Sequence, residues 1–272
     1  MRFDLHCHTK NGSIDGRIAI EDYVKLLQSK GFQGMLVTDH NSYKGYRTWK
    51  KLKEANDRYA DFVVLKGVEY DTLDAGHMIV VMPDKVNLPI LEIRGLPLSL
   101  LIGIVHRYDG IIGPAHPFGA KYVSVMASKK LQKSKQLIHR FDFIEAFNSC
   151  ELPDSNVQAR KLAMQYHKPT FGGSDSHQEK YVGTAYTDID ADIRCRNDFI
   201  QAVKEGRILG CGGQEREPVR QGKMYKLIPT KAGWIAYNRG LAIVKSRSRK
   251  SQLVEIFHGN VKNIKNLIKA NK

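Results

Sequence analysis

The chain has 272 residues and a formal net charge of +15, with 42% hydrophobic and 26% charged residues. That length holds one α/β barrel with a small appendage and excludes two full enzyme domains. The charge is uneven: residues 213–272 carry 14 Lys/Arg against 3 Asp/Glu, whereas residues 1–212 carry 29 against 25, which makes nucleic acid a possible partner of a basic tail.

Strand-like and helix-like runs alternate from the start. Phe3 to His6 reads as a strand and Ile18 to Lys30 as an amphipathic helix stopped by Gly31. Gly34 to Thr38 is a second strand, 47–59 a charged helix, and Phe62 to Val68 a third, apolar strand. Met78 to Met82 is a fourth, stopped by Pro83; a helix over 98–108 leads to strand Ile111 to Ala115. A basic segment, 128–140, precedes strand Phe143 to Phe147, and Asp154 or Ser155 caps a helix running to about His167. Thr170 to Gly172, Gly183 to Tyr186 and a helix over 197–205 complete the pattern. Seven or so strands, most followed by helices, predict a parallel α/β barrel over residues 1–212. Residues 213–272 form a small basic extension, with a strand pair over 234–244, the basic run 245–250, and apolar residues at helical spacing from Leu253 to Ile268.

Cys7, Cys150, Cys195 and Cys211 have no CxxC spacing and read as free thiols in a reducing compartment. The first strand begins almost at Met1, so no signal peptide is expected. The most apolar stretch, Leu96 to Val105, is ten residues broken by Pro97 and Gly103, too short to span a bilayer. The expected location is the cytoplasm, with no membrane partner; no feature indicates an oligomeric state.

Two strings carry the chemistry: Asp4-Leu5-His6-Cys7-His8-Thr9 and Gly173-Ser174-Asp175-Ser176-His177. In extended backbone alternate residues share a face. His6 and His8 should therefore aim at one point and Asp175 and His177 at another, with Cys7 and Ser176 turned away. Between them lie Asp15, His40, Glu69, His77 and His116. All but His77 fall at or after the carboxyl end of a strand, where barrel enzymes place their active sites; His77 precedes its strand. Nine imidazole and carboxylate ligands exceed the need of one metal ion and suit two or three of Mn²⁺, Zn²⁺ or Fe²⁺. Clustered divalent cations offset the repulsion between a phosphate ester and its nucleophile and lower the pKa of a bound water. Asp175 and His177 are the candidates for the catalytic step. Asp4 and Asp39 are candidates for orienting imidazoles. Lys10, Lys44, Arg47 and Lys121 are loop cations able to grip a phosphate, and Asn148 is a further pocket candidate. His106, His139, His167 and His258 read as structural.

In order, DLHCHT (4–9), SIDG (13–16), TDHN (38–41), GVE (67–69), His77, AHP (115–117) and GSDSH (173–177) resemble the polymerase-and-histidinol-phosphatase (PHP) superfamily of metal-dependent phosphoesterases, over roughly residues 1–212. One departure is Asp15, which lies farther past the His6/His8 pair than the family's first acidic residue usually does. The resemblance implies a distorted seven-stranded barrel and three metals. On that analogy His6, His8 and Asp175 hold the first and Glu69 bridges to the second. His77 and His116 complete the second, and Asp15, His40 and His177 hold the third. The expected activity is hydrolysis of a phosphomonoester or nucleotide phosphate. The alternatives are a nuclease or repair factor using 245–272 to bind nucleic acid, a non-catalytic metal-stabilised interaction module, and hydrolysis of a non-phosphate bond.

Overall fold

The computed structural model describes residues 1–55, 59–119, 123–215, 240, 243–244 and 248–257. The chain divides into two compact units, residues 1–87 with 95–218, and residues 88–94 with 219–272.

β1 (Arg2–Cys7), β2 (Gly34–Val37) and β3 (Val63–Asp71) lie parallel, joined by α1 (Ile20–Ser29) and α2 (Lys44–Glu54). α1 buries Ile20, Tyr23, Val24 and Leu27, the spacing of one helical face. β4 (His77–Val81) breaks the all-parallel expectation. It pairs antiparallel with β3, placing His77 opposite Asp71, because the few residues between them make a hairpin and cannot make a crossover. This explains why His77 precedes its strand: the amino end of β4 lies beside the carboxyl end of β3. After α3 (Leu98–Arg107), β5 (Ile111–Pro114) runs antiparallel to β4 and so restores the direction of β1–β3.

The basic segment forms α4 (Lys129–Lys133) and a 3-10 turn, Lys135–Arg140. β6 (Ile144–Asn148) and β7 (Thr170–Gly173) then pair in parallel across α5 (Pro153–Gln165). Neither Asp154 nor Ser155 caps α5. Pro153 occupies its first turn with Leu152 before it, a position where the missing N–H costs nothing. β8 (Ala185–Ile189) pairs antiparallel with the first residues of β1, and after α6 (Arg196–Lys204) β9 (Ile208–Gly213) pairs antiparallel with β8. β9 contains Gly210, Gly212 and Gly213 and is only partly buried, so neither propensity nor periodicity marks it as a strand.

The main sheet has the order β5-β4-β3-β2-β1-β8-β9, and β6-β7 form a separate pair. That pair fills the gap between β5 and β1. Asp142 N donates to Ile112 O at 2.8 Å on one side, and Asp175 N donates to His6 O at 2.9 Å on the other. The second approach requires glycine, since a Cβ on Gly173 would lie 2.1 Å from Cβ of His6. The result is a distorted α/β barrel of seven strands, with β8 and β9 leaving it at the start of β1. Phe3, Leu5, Leu36, Leu65, Ile79, Ile111 and Phe171, contributed by β1 to β5 and β7, join Phe143 from just before β6 in one buried cluster floored by Phe199 and Ile200 of α6. A second cluster packs α1 and α2 against β1 and β2 through Tyr23, Leu27, Met35 and Trp49.

In the second unit residues 248–257 are helical, and Arg249 Nη1 donates to Arg94 O at 2.6 Å. Of the strand pair expected over 234–244, only residues 240 and 243–244 are described and these have helical backbone; the rest lies outside the described residues. Residues 245–247 of the basic run, and Val261, Ile264 and Ile268, lie outside the described residues. No helix among the described residues is long and apolar enough to cross a membrane.

Phe171 is fully buried, stacked on Phe143 at 3.7 Å and tilted against Phe199 at 5.5 Å. Phe171→Ala should lower stability by about 3–5 kcal/mol in denaturant unfolding, because the rigid barrel interior cannot collapse onto the void. A loss below about 1 kcal/mol would mean that β6 and β7 do not form part of that interior.

Candidate metal centre

β1 delivers His6 and His8 as the alternation rule requires. Their Nε2 atoms lie 3.1 Å apart, and Cys7 turns away into the cluster under α1. β7 behaves differently. It ends at Gly173, and Asp175 takes a left-handed backbone with φ 49°, so Asp175 and His177 do not alternate along a strand. The turn sends Asp175 Oδ1 to 3.2 Å from His8 Nε2, while His177 Nε2 lies 3.2 Å from Asp15 Oδ2. The second outlier at the site is His116, with φ 29°. Such backbone is uncommon outside glycine, though Asp and His tolerate it better than most, and it is held by the surrounding structure.

Glu69, 1% exposed, is the centre of the cluster. Its Oε1 lies 2.8 Å from His77 Nδ1 and 3.0 Å from His116 Nε2, and its Oε2 lies 3.1 Å from His40 Nδ1, 3.3 Å from His8 Nε2 and 3.5 Å from His6 Nε2. Burial alone would raise the Glu69 pKa; His40, His77, His6 and His116 outweigh it and hold it well below the usual range. Burial likewise opposes charge on the rings, but Asp175 and Glu69 raise His8 to about 10, and Glu69 raises His116 to about 9. The same balance, with Glu145, Asp175 and Glu69 as partners, puts His6 well above its ordinary value. Without a cation, these carboxylates favour the protonated form of His6, His8 and His116.

The donor set fits divalent cations. His6, His8 and Asp175 offer ligand atoms within 4.8 Å of one another; so do Glu69, His77 and His116, and also His8, Asp15, His40 and His177. His116 Nδ1 and Asp15 Oδ1 are buried without a hydrogen-bond partner, a state that coordination would relieve. A fourth set, His40, Asp71 and His77, involves a residue not singled out from the sequence. Asp71 Oδ1 lies 3.3 Å from both His40 Nδ1 and His77 Nε2. Its spacing of two from Glu69 on β3 is the signal that could have found it.

The surrounding hydrogen bonds set the rings. Glu145 Oε1 lies 2.8 Å from His6 Nδ1, and Glu145 Oε2 accepts from His116 N at 2.5 Å and from Asn148 Nδ2 at 3.1 Å. A lone carboxylate in the apolar strand Phe143 to Phe147 was the available sign of it. Asn148, expected as a pocket residue, is buried; its Nδ2 also donates to Asp175 Oδ2 at 3.2 Å, and its Oδ1 accepts from Cys150 N. Asp4 and Asp39 hold backbone instead of imidazoles. Asp4 Oδ1 accepts from Ser174 N at 2.9 Å and His6 N at 3.3 Å, with burial raising its pKa to about 6. Asp39 accepts from Thr9 N at 2.7 Å and from the Thr9 hydroxyl. Ser13 Oγ, 3.1 Å from His8 Nδ1, is the hydroxyl beside that ring. Lys10, Lys44 and Arg47 are exposed, and Lys121 lies outside the described residues. A groove of about 640 Å³ is lined by Arg17, Ile18, Gln178 and Lys180 among others, neighbours in sequence of Asp15 and His177 but not the ligands themselves, and Arg17 N donates to His177 O at 3.1 Å.

The Asp39 carboxylate sits so closely against Gly45 that a Cβ there would lie 2.2 Å from Asp39 Oδ2 and 2.3 Å from Thr9 Oγ1. Gly45→Ala should displace Asp39 from the loop that follows His8, destabilising the fold by about 1–3 kcal/mol in denaturant unfolding. Unchanged stability would show that Asp39 does not fasten that loop.

Comparison with known proteins agrees with this geometry. A family model described as PHP domain matches residues 4–170, and one described as PHP-associated matches residues 153–208. No curated protein matches the chain in sequence. Among solved structures, PsfC from Pseudomonas syringae is 16% identical with a TM-score of 0.58, covering 92% of this chain and 98% of its own. A two-domain protein from Bacteroides vulgatus, containing a predicted PHP-like metal-dependent phosphoesterase, is 18% identical with a TM-score of 0.57, over 76% of this chain and 63% of its own. Endonuclease Q, in complex with a 27-mer duplex substrate bearing an abasic lesion, is 15% identical with a TM-score of 0.57, over 83% and 66%. Identities this low speak to the fold alone, but the family model spans more than half of the chain and takes in all five imidazoles gathered around Glu69: the chain belongs to the PHP-domain family.

Proposed function

We propose that the chain is a metal-dependent phosphoesterase acting on a phosphomonoester or a nucleotide phosphate. The observation that carries this reading is the convergence of five imidazoles on the one buried carboxylate of Glu69. His6, His8 and Asp175 would hold one cation, Glu69, His77 and His116 a second, and Asp15, His40 and His177 a third; Mn²⁺, Zn²⁺ and Fe²⁺ all suit such donors. When bound, divalent cations neutralise phosphate charge and supply a water of lowered pKa.

The chain's own residues do the rest. Glu145 at Nδ1 of His6 and Ser13 at Nδ1 of His8 fix which ring nitrogen faces inward. Asn148 takes one oxygen of Asp175 and leaves the other beside His6 and His8. The His177 side chain is 27% exposed, against 9% or less for the other five rings. It is therefore the ring most open to a substrate entering the site. Arg17 and Lys180 line the groove into which the rest of a substrate would extend.

A nuclease is the second reading, favoured by the concentration of 14 Lys/Arg in residues 213–272 and by the likeness of fold to endonuclease Q. Steep salt dependence of oligonucleotide binding, lost on deleting 245–272, would single it out.

The deciding experiment is Mn²⁺-dependent phosphate release from phosphomonoesters, nucleoside bisphosphates and short oligonucleotides, with Asp175→Asn beside the wild type. Release that requires metal and disappears in the variant is expected. Bound metal with no release from any substrate would overturn the reading and leave a binding module or another hydrolytic reaction.

Metal uptake should also be coupled to protons. His8 and His116 titrate near 10 and 9, above the ordinary 6.5, so near neutral pH cations must displace protons from them, and affinity rises with pH. In the metal-free chain these raised values stabilise the fold fully below about 6.5, a contribution lost as pH climbs through 9 to 10. Calorimetry in buffers of different ionisation enthalpy should show proton release on metal binding, and the metal-free Tm should fall at alkaline pH. Metal binding without proton release would contradict the assignment.

A further inference from the structure

The opposite end of the barrel carries a second concentration of charge. A cavity of about 440 Å³ is lined by His106, His139, Arg140, His167, Lys168 and Lys204, over an apolar floor that includes Phe141, Pro169 and Val203. The strands fix its place. His106 is in the last turn of α3 before β5, Asp142 immediately precedes β6, and His167 and Lys168 immediately precede β7. These are the amino ends of strands whose carboxyl ends lead to His116, Asn148 and Asp175. The cavity is therefore separate from the metal centre, and a ligand in it would not reach the reacting atoms.

Composition does not account for this basin, because residues 1–212 are nearly balanced, with 29 Lys/Arg against 25 Asp/Glu. Here three permanent cations and three imidazoles face a single carboxylate, Asp142, whose Oδ2 already accepts from Ile112 N at 2.8 Å and meets His106 Nε2 at 3.0 Å. Some of the cations have ordinary tasks. Lys204 Nζ donates to Asp109 O at 3.2 Å, and His106 sits at a helix carboxyl end, where positive charge is favourable. Arg140 and His167 are not explained that way. Lys168 is partly buried, with Nζ donating to His139 O at 2.8 Å, and burial lowers its pKa. The side chains of Arg140 and His167 have no hydrogen-bond partner among the described residues. His167 also holds a left-handed backbone, φ 50°, just past the end of α5. That position ordinarily goes to glycine or asparagine. A bulky cation-capable ring kept there at a conformational cost points to use of the side chain.

We propose that this basin is a second anion site, which takes a phosphate group through Arg140, His167 and Lys168. Arg140 supplies a forked donor, Lys168 a point charge and His167 a ring N–H, a set that matches the several acceptor oxygens of one phosphate. The volume is within the range of small-ligand sites, about 300–1,000 Å³. The phosphate could belong to a free metabolite or to a nucleic-acid backbone, and the two sources are separable by experiment.

The test is a titration of the full, metal-loaded chain, labelled in its histidine rings, followed by NMR. The two probes are inorganic phosphate and a short single-stranded oligonucleotide. The rings of His106, His139 and His167 should shift saturably, and Arg140→Ala with Lys168→Ala should weaken that response by about tenfold or more. Hydrolysis of a small phosphomonoester by the double variant should be unchanged. Saturation by phosphate alone would assign a free anion, and tighter, salt-sensitive saturation by the oligonucleotide would assign a backbone. Absence of shifts with both probes, or equal affinity in the variant, would overturn the site. His167→Gly guards against misfolding of the double variant. The left-handed backbone favours glycine, so this chain should fold at least as well as wild type and still bind phosphate more weakly. A stable His167→Gly protein with undiminished affinity would equally refute the proposal.

Discussion

A carboxylate buried among imidazoles in the middle of an apolar barrel is the constraint on which this molecule turns. Glu69 meets rings supplied from the ends of β1, β2, β4 and β5. Neither the acid nor the rings could be buried alone, because an isolated charge in that environment is strongly disfavoured. Together they form a polar plug over the interior packed with Phe3, Leu5, Phe143 and Phe171. The strand ends must therefore stay in register to within hydrogen-bond distances. The hydrogen bonds of Asp4, Asp39, Glu145 and Asn148 serve that end by fixing backbone or rings immediately around the plug.

The antiparallel β4 makes the arrangement possible. In an all-parallel barrel His77 would sit at the wrong end of its strand. The hairpin from β3 reverses it, so that His77 faces Asp71 and touches Glu69. β5 then reverses again and returns the chain to the common direction. The pair β6-β7 performs a different task. It supplies Glu145, Asn148 and the turn bearing Asp175, from a sheet hydrogen-bonded to its neighbours only sparsely.

Much of this was legible in the sequence, because the informative residues lie at strand ends, where short strings have strong local meaning. DLHCHT places His6 and His8 together through strand alternation alone. The same reasoning fails for GSDSH, since the left-handed Asp175 takes the backbone out of extension and the string carries no sign of it. Glu145 and Asp71 are harder to read, because their imidazole partners lie on other strands and nothing local in the sequence marks the contacts of Glu145 with His6 or of Asp71 with His40. Asn148 was noticed for its place at the end of a strand, but its amide is spent on Glu145 and Asp175. The direction of β4 depended on the length of a turn, and β9 on pairing that its glycines do not advertise.

The seam between β1 and β7 joins the opening of the chain to residues about 170 positions later, through a close approach of Gly173 to His6 and very few main-chain bonds. His6 and His8 stand on one side of it and Asp175 on the other. A cation held by those three would work like a rivet through the last joint of the barrel, closing a very long loop in the manner of a crosslink. Cofactor loading would then tighten a fold that already forms without it, and the loaded chain would open at that seam less often than the metal-free one.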